Sequence, residues 1–200
     1  MKAKLRIAVQ NKGRLMAPSL EFLKNMGLKF DIDERKLSIP CKNADIEILL
    51  VRCSDISTYV ERKVADFGIV GENVLYEKDC KLAVLQKLDF GKCSLIIAVP
   101  DNSTIKSAED LEGERIATSY PHLLKKYLQK NQINAAIIEI RGSVEVTPQL
   151  NLADAICDIT QTGKTLEANG LKIIDTIFTS QAVLIASPEI IKESKNYEKI

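Results

Sequence analysis

The sequence predicts an α/β protein in which two lobes each contain a mainly parallel sheet. Short apolar stretches typical of buried strands, such as Ile46–Val51 and Ser94–Pro100, alternate with stretches whose apolar residues recur at helical spacing. Two further strand-like stretches follow position 170, and their order predicts that one of them returns to the first lobe. We therefore assign residues 1–93 and 180–200 to lobe I and residues 94–179 to lobe II.

The first lobe begins with a strand at Leu5–Val9, followed by a helical pattern that ends at Gly27. Ile46–Val51 is predicted to be the second strand, and Leu82–Leu88 a later one. The apolar positions that define the first helix are Leu15, Leu20, Leu23 and Met26.

The second lobe alternates strands and helices in the same way. Ser94–Pro100 is strongly apolar, which predicts a central, parallel strand. The other predicted elements are, in chain order, a short capped helix at Ser107–Gly113, a strand at Arg115–Thr118, a helix at His122–Gln129, strands at Ala135–Ile140, Leu171–Thr179 and Gln181–Ala186, and a charged helical tail at 188–200.

Composition argues against several classes of protein. The chain has 28 basic and 27 acidic residues, a net charge of +1 and no Trp, which provides no electrostatic or stacking basis for binding nucleic acid. No apolar run approaches the ~20 residues that span a bilayer, and the N-terminus has no secretory signal. The five cysteines are odd in number and widely spaced, and there is one histidine, so we expect reduced thiols in a cytoplasmic protein and no zinc site.

The stretch from Asp154 to Thr165 is the most informative part of the chain. An apolar run leads into Asp158-Ile-Thr-Gln-Thr-Gly-Lys-Thr165, which predicts a buried strand, a phosphate-sized loop and a helix over Thr165–Asn169. Gly163 would let the backbone approach an anion closely. The loop is not a P-loop, because Asp158 stands where that motif needs glycine. An ordinary strand-to-helix turn is the alternative interpretation.

Two predicted strand ends in the first lobe carry basic side chains. Lys12 and Arg14 flank Gly13 in the loop after the first strand, and arginine can bind phosphate oxygens through two parallel hydrogen bonds. Arg52 follows the second strand, at the end where α/β proteins bind ligands. The alternatives are a solvated helix start for Lys12 and Arg14, and an ion pair with Asp55 for Arg52.

Several motifs resemble the signature of the ATP phosphoribosyltransferase family. They are Glu145, Asn151-Leu-Ala-Asp154, Asp158, Thr162-Gly-x-Thr165-Leu166, Arg52-x-x-Asp55-Ile56, Asp66-x-Gly68 and Arg115-Ile-Ala-Thr-Ser-Tyr-Pro121. The chain departs from the family at Lys63, where glycine is usual, and at Lys164, where a small residue or arginine is more common. The resemblance implies two lobes like those of type II periplasmic binding proteins, with the active site in the inter-lobe cleft.

The resemblance also implies roles for individual residues. The catalytic residues would be Lys12, Arg14 and Asp158. Residues beside the nucleotide and pyrophosphate would be Gly13, Arg52, Asp66 and Tyr120. Residues holding ribose hydroxyls would be Glu145, Asp154 and Asp158, of which Asp154 and Asp158 would also ligate Mg²⁺. The 5′-phosphate would lie in a cradle of Thr162, Gly163, Lys164 and Thr165.

By resemblance, the reaction joins ATP to phosphoribosyl pyrophosphate with Mg²⁺ as cofactor, yields N1-(5-phosphoribosyl)-ATP and pyrophosphate, and opens histidine biosynthesis. Long members of the family carry a regulatory domain for which 200 residues leave no room. We therefore expect a homodimer, or a hetero-oligomer with a histidyl-tRNA-synthetase-like subunit. Two alternatives stay open: a cytoplasmic binding module for a phosphorylated small molecule, and a subunit active only in a hetero-oligomer. The sequence also leaves open whether the C-terminus is native or truncated.

Overall fold

The computed structural model describes residues 4–33, 35–187 and 190–191. The chain divides into two compact units, one comprising Met1–Gly91 and Gln181–Ile200 and the other Lys92–Ser180, and each unit contains one sheet. The predicted tail helix lies outside the described residues, apart from Ile190 and Ile191. No helix in the described ranges is long and apolar enough to cross a membrane.

The secondary structure alternates strands and helices along the chain. The strands are β1 (Leu5–Gln10), β2 (Ser38–Pro40), β3 (Ile46–Val51), β4 (Phe67–Gly71), β5 (Ala83–Lys87), β6 (Cys93–Pro100), β7 (Arg115–Thr118), β8 (Ala136–Glu139), β9 (Ala155–Thr160), β10 (Leu171–Ser180) and β11 (Ala182–Ala186). The helices are α1 (Met16–Asn25), α2 (Cys53–Glu61), α3 (Glu72–Glu77), α4 (Pro121–Asn131) and α5 (Lys164–Ala168), with short 3₁₀ helices at Glu109–Leu111 and Val144–Val146.

Sheet A of the first unit has the strand order β2-β3-β1-β4-β11-β5. Strand β1 runs parallel to both β3 and β4, so these three strands end at one edge, which we call the carboxyl edge of sheet A. Both faces of β1 are buried, since Val9 packs with α1 and Ala8 with α2. This two-sided burial explains the continuous apolar runs in the sequence.

Sheet B of the second unit has the order β10-β6-β9-β7-β8, in which β7, β8 and β9 are parallel and end at the carboxyl edge of sheet B. The prediction that β6 is parallel is wrong, because β6 pairs antiparallel with both β9 and β10. An apolar run reports burial on both faces and carries no information about direction. The α/β class is confirmed, and both sheets are mixed rather than mainly parallel.

Most predicted elements occur with small shifts at their ends. The stretch predicted as a capped helix at Ser107–Gly113 is a single 3₁₀ turn, in which the Asp110 carboxylate accepts hydrogen bonds from the backbone of Lys106 and Ser107. Helix α5 begins one residue earlier than predicted, at Lys164, directly after Gly163.

Lys63 and Asn151 are non-glycine residues with left-handed backbone conformations. Lys63 has a φ of +58° and Asn151 a φ of +54°, and both are exposed. Lys63 follows the last turn of α2, where Lys63 N donates to Val60 O and Val64 N donates to Tyr59 O. This is the hydrogen-bond pattern that usually places glycine after a helix. Lys63, at a position where the resemblance expects glycine, therefore adopts a backbone conformation that favours glycine.

We expect Lys63→Gly to raise the free energy of unfolding by about 1 kcal/mol. Relief of the left-handed strain outweighs the entropy that glycine adds to the unfolded chain. Denaturant unfolding of the variant and the wild type measures the difference. Lys36→Gly is the matched control, because Lys36 is also exposed but has no positive φ, so that variant should be destabilised. Equal destabilisation of the two variants would contradict the prediction.

Candidate active site

The candidate binding loop of the first unit lies between β1 and α1. Gly13 has a φ of +104°, a backbone conformation that favours glycine. The loop is tied to sheet A, because Asn11 N donates a 2.8 Å hydrogen bond to Val51 O. Lys12 is exposed and Arg14 is half-buried. The loop thus places two cationic side chains at the carboxyl end of β1.

Arg52 lies at the same edge of sheet A as this loop. It follows β3 directly, and the parallel register pairs Gln10 with Val51. Its side chain is exposed, and its backbone carbonyl accepts a 2.9 Å hydrogen bond from Asp55 N at the start of α2. The Asp55 carboxylate accepts a hydrogen bond from Ser54 Oγ at 2.9 Å. Three basic side chains therefore share the carboxyl edge of sheet A.

Asp66 lies at the opposite edge of sheet A. Arg6 N donates to Asp66 Oδ2 at 2.7 Å, and Asp66 N donates to Arg6 O at 2.9 Å. This reciprocal pair joins the amino ends of β1 and β4. Strand β1 rises ~3.3 Å per residue, so Asp66 is more than ~15 Å along the strand from Lys12. The structure does not bring Asp66 together with the basic loop, and its observed role is to fix the start of two strands.

The candidate binding loop of the second unit lies between β9 and α5. Gly163 has a φ of +78°, and its N–H donates to Thr160 Oγ1 at 3.0 Å, which closes the turn. Glu167 N donates to Gly163 O at 3.0 Å and begins the helix. Thr162, Lys164 and Thr165 are exposed. Two hydroxyls and an ammonium group are thus presented at one short turn.

Tyr120 lies at the same edge of sheet B, at the end of β7. The buried Thr118 hydroxyl donates to Cys157 O at 2.7 Å and accepts from Tyr120 N at 2.8 Å. These bonds connect the turn before α4 to β9. Tyr120 is half-buried, and its aromatic ring packs against the apolar core between α4 and sheet B. What the structure shows of the Tyr120 ring is therefore packing within the second unit.

Asp158 and Glu145 form a carboxylate pair in the second unit. Burial, with a further contribution from the negative charge of Glu145, raises the pKa of Asp158 from 3.8 to about 6. A hydrogen bond from Ile159 N to Asp158 Oδ1, 2.8 Å long, acts in the opposite direction. Asp158 lies two residues before the end of β9, close to the turn closed by Thr160. Acceptors for hydroxyl groups therefore lie next to donors for an anion.

Asp154 occupies the amino edge of sheet B, away from the turn. Arg115 Nε and Nη2 donate to its two carboxylate oxygens at 2.9 and 2.8 Å, and Arg115 N donates at 3.0 Å. These hydrogen bonds lower the pKa of Asp154 to about 2. Asp154 directly precedes β9 and Asp158 lies within it, so their spacing of four residues separates them by ~13 Å of extended chain.

The structure therefore does not support Asp154 and Asp158 as joint ligands of Mg²⁺. Ligand distances to this ion are only ~2.1 Å, far shorter than half the separation of the two residues. Both oxygens of Asp154 are already engaged by Arg115. No group of three or more potential metal ligands occurs among the described residues.

We expect Asp154→Asn to weaken folding and to leave the chemistry intact. Its pKa is lowered in the folded state, so the ion pair stabilises the fold above about pH 4 and this contribution is lost as the pH falls towards 2. The side chain is 30% exposed, so we expect a loss of about 1–2 kcal/mol at pH 7. Denaturant unfolding of the variant and the wild type at pH 7 and pH 3 measures this loss in the free energy of unfolding. A large loss of activity in the folded variant would contradict this assignment.

Sequence reasoning missed three residues that shape the turns after β1, β7 and β9. They are Gln10, Thr118 and Thr160, whose side chains hydrogen-bond to the loop backbone. Each is a polar residue at the last position of a strand, three residues before the glycine or proline of the following turn. That position was the available signal, since Ser, Thr and amide side chains at strand ends commonly organise the following turn.

Comparison with known proteins identifies the family. A family model described as HisG: ATP phosphoribosyltransferase matches residues 52–200. ATP phosphoribosyltransferase from Maricaulis maris (strain MCS10) is 46% identical over 191 residues, covering 92% of this chain and 65% of the relative, so the chain spans about two thirds of that protein. A chain of the ATP phosphoribosyl transferase (HisG:HisZ) complex from Thermotoga maritima is similar with a TM-score of 0.83 and 32% identity, covering 96% of this chain and 92% of that one.

A more distant likeness concerns the fold alone. The periplasmic aliphatic sulphonate binding protein SsuA from Escherichia coli is 16% identical, with a TM-score of 0.66 over 96% of this chain and 68% of that chain. The expected similarity to periplasmic binding proteins is thereby confirmed at the level of fold. With the family model and the two closer relatives in agreement, the chain belongs to the ATP phosphoribosyltransferase family.

Proposed function

We propose that this chain catalyses the ATP phosphoribosyltransferase reaction, the first step of histidine biosynthesis. N1 of the ATP adenine attacks C1 of the ribose of phosphoribosyl pyrophosphate. The C1–O bond breaks, and its electron pair leaves on pyrophosphate. The observation that supports the proposal is the end of β9, where Asp158, which interacts electrostatically with Glu145, lies two residues before Thr160, the residue that closes the Gly163 turn. Hydroxyl acceptors and phosphate donors together suit a ribose 5-phosphate.

Residues of the two units are proposed to bind different parts of phosphoribosyl pyrophosphate. In the second unit, Thr162, Lys164, Thr165 and the backbone at Gly163 would bind the 5′-phosphate, and Asp158 and Glu145 would accept hydrogen bonds from the ribose hydroxyls. In the first unit, Lys12, Arg14 and Arg52 would stabilise negative charge on the departing pyrophosphate.

No activated nucleophile is required of the protein, because adenine N1 is itself nucleophilic. The main catalytic requirement is then to hold N1 close to C1, which in ideal cases removes ~7–11 kcal/mol of the barrier. Tyr120 is proposed to contact the nucleotide through its exposed part.

The metal ion of the reaction is proposed to be Mg²⁺, carried mainly by the phosphates of the substrates. Mg²⁺ keeps several waters and is commonly bound through one or two carboxylates together with phosphate oxygens. The Asp154–Asp158 pair does not fit such an ion, for the reasons given above. When bound, Mg²⁺ would neutralise negative charge on the pyrophosphate.

We also propose a partner and a location. The similar Thermotoga maritima chain comes from a HisG:HisZ complex, so a hetero-oligomer with a HisZ-like subunit, built on a homodimer of this chain, is the proposed assembly. A cytoplasmic location is proposed because both substrates are phosphorylated metabolites.

The test is turnover followed by the ultraviolet absorbance change of N1-ribosylated adenine. The complete reaction contains protein, ATP, phosphoribosyl pyrophosphate, Mg²⁺ and pyrophosphatase, and each component is omitted in turn. The assay is run with and without a HisZ-like subunit. We expect a signal only when both substrates and Mg²⁺ are present. Binding of phosphoribosyl pyrophosphate without turnover in either assay would overturn the proposal in favour of a binding module.

One variant tests the placement of the phosphate. We expect Thr165→Ala to raise the KM for phosphoribosyl pyrophosphate about tenfold and to leave the KM for ATP within about twofold, because one charge-assisted hydrogen bond is lost. Thr176→Ala is the matched control, since Thr176 is exposed on β10 in the same unit. An unchanged KM for phosphoribosyl pyrophosphate would show that the turn does not bind it.

A further inference from the structure

The side chain of Gln10 spans the turn that carries the two basic residues of the first unit. Gln10 Nε2 donates a hydrogen bond to Lys12 O, and Gln10 Oε1 accepts one from Leu15 N at 3.1 Å. The amide therefore contacts the backbone on both sides of Gly13. A turn that would otherwise bend freely at glycine is closed by a side chain.

The Gln10 amide lies in the space that a side chain at position 13 would fill. A Cβ atom added to Gly13 would lie 2.6 Å from Gln10 Nε2, closer than such atoms approach in proteins. Glycine is thus needed here for two independent reasons, its φ of +104° and the room that it leaves for the Gln10 amide.

Both ends of the turn are fixed to parts of the molecule that do not move easily. Leu15 is 2% exposed and belongs to the core between α1 and sheet A. Asn11 is held to β3 through Val51 O, and Met16 N donates to Gly13 O at 3.2 Å. With both ends held, the Gln10 amide determines the path of the three residues between them.

We propose that Gln10 is a positioning residue that sets the directions of Lys12 and Arg14 for binding pyrophosphate. This inference rests on the proposed function of the basic loop. Two like charges separated by one glycine repel each other, and a free turn would spread them apart. A turn already held in one conformation does not lose conformational entropy when the ligand binds, so binding is stronger. Gln10 itself has no contact with the ligand in this proposal.

The experiment measures binding of two probes that the two units would hold separately. Inorganic pyrophosphate reports on the basic loop, and ribose 5-phosphate reports on the Thr162–Thr165 turn. Both are titrated against the full chain, wild type and Gln10→Met, which keeps the length of the side chain and loses both hydrogen bonds. Gln129→Met is the matched control, because Gln129 is exposed on α4. Unfolding midpoints are measured for every variant.

We expect Gln10→Met to weaken pyrophosphate binding about tenfold, as for the loss of hydrogen bonds that organise a charged site. Ribose 5-phosphate binding should stay within about twofold of wild type, which a general loss of folding would not produce. Equal weakening for both probes, or none for pyrophosphate, would overturn the proposal.

A second variant keeps the test decisive if Gln10→Met folds poorly, because Gly13→Ala alone should also weaken pyrophosphate binding and leave ribose 5-phosphate binding within about twofold of wild type. Gly13→Ala disturbs the same contact from the other side, so its effect and that of Gln10→Met should not add in the double variant. Additive losses would mean that the two residues act independently, which overturns the proposal. Absence of turnover in the wild type refutes the proposed function itself, whereas normal turnover and pyrophosphate binding in Gln10→Met refute only the role of Gln10.

Discussion

Asp158→Asn is expected to reduce transferase activity by about 100-fold or more while making the protein more stable at pH 8. An amide offers one acceptor oxygen and no charge to the ribose hydroxyls, and loss of a group that binds the reacting sugar typically costs two to three orders of magnitude. The stability gain has a separate origin, the cost of keeping a carboxylate charged in a buried place beside Glu145.

The pH dependence of this gain has a definite sign. The pKa of Asp158 is raised from 3.8 to about 6 in the folded protein, so the folded state holds the proton more tightly than the unfolded chain does. Stability from this residue is therefore present below about pH 4 and is lost as the pH rises through 6. Asparagine avoids that loss, so the variant should gain about 2 kcal/mol at pH 8 and little at pH 4.

Denaturant unfolding at pH 4 and pH 8, together with the coupled absorbance assay, checks both parts of this prediction. Asp101→Asn is the control, because Asp101 is exposed in the same unit and should change neither quantity by much. A stability difference that is the same at both pH values would show that burial of the Asp158 charge is not its source. Retained activity would remove Asp158 from the sugar site.

Lys12→Met is expected to lower kcat/KM by about 100-fold, the second largest effect that we anticipate. In the described part of the chain, the Lys12 ammonium has no ion-pair partner, whereas Lys87 is held by Glu72 at 2.9 Å. Its charge is therefore available to the departing pyrophosphate, where one well-placed donor contributes a factor of ~10²–10³. Methionine keeps the aliphatic stem and removes only the charge.

Steady-state kinetics at two ionic strengths tests this expectation. The wild type should lose affinity for pyrophosphate as salt rises, and Lys12→Met should lose less, since one of the screened charges is gone. Lys125→Met on α4 is the matched control, because Lys125 is exposed and outside both loops. A variant with normal kcat/KM would return Lys12 to the role of a solvated residue at a helix start.

The sequence by itself predicted the alternation of strands and helices and the family. Apolar runs such as Ile46–Val51 and the helical spacing after Leu15 depend on local burial, which leaves a local pattern. The turn at Gly163 was also predictable, because glycine between a strand and a helix has few other uses. Signature motifs of the family sit in these same segments, and for that reason recognition of the family succeeded.

The tertiary structure alone decided which carboxylates lie near the two loops. Strand direction and pairing place Asp66 and Asp154 at the amino edges of their sheets, where each binds backbone or Arg115. Asp158, within the strand that Asp154 precedes, lies near the carboxyl edge. Spacing along the chain cannot separate these cases, because the partner of a carboxylate comes from a strand distant in sequence. The same reason hid the antiparallel direction of β6. The contacts of Gln10 with Lys12 and Leu15 are local in sequence, but the sequence does not show which way the Gln10 side chain turns.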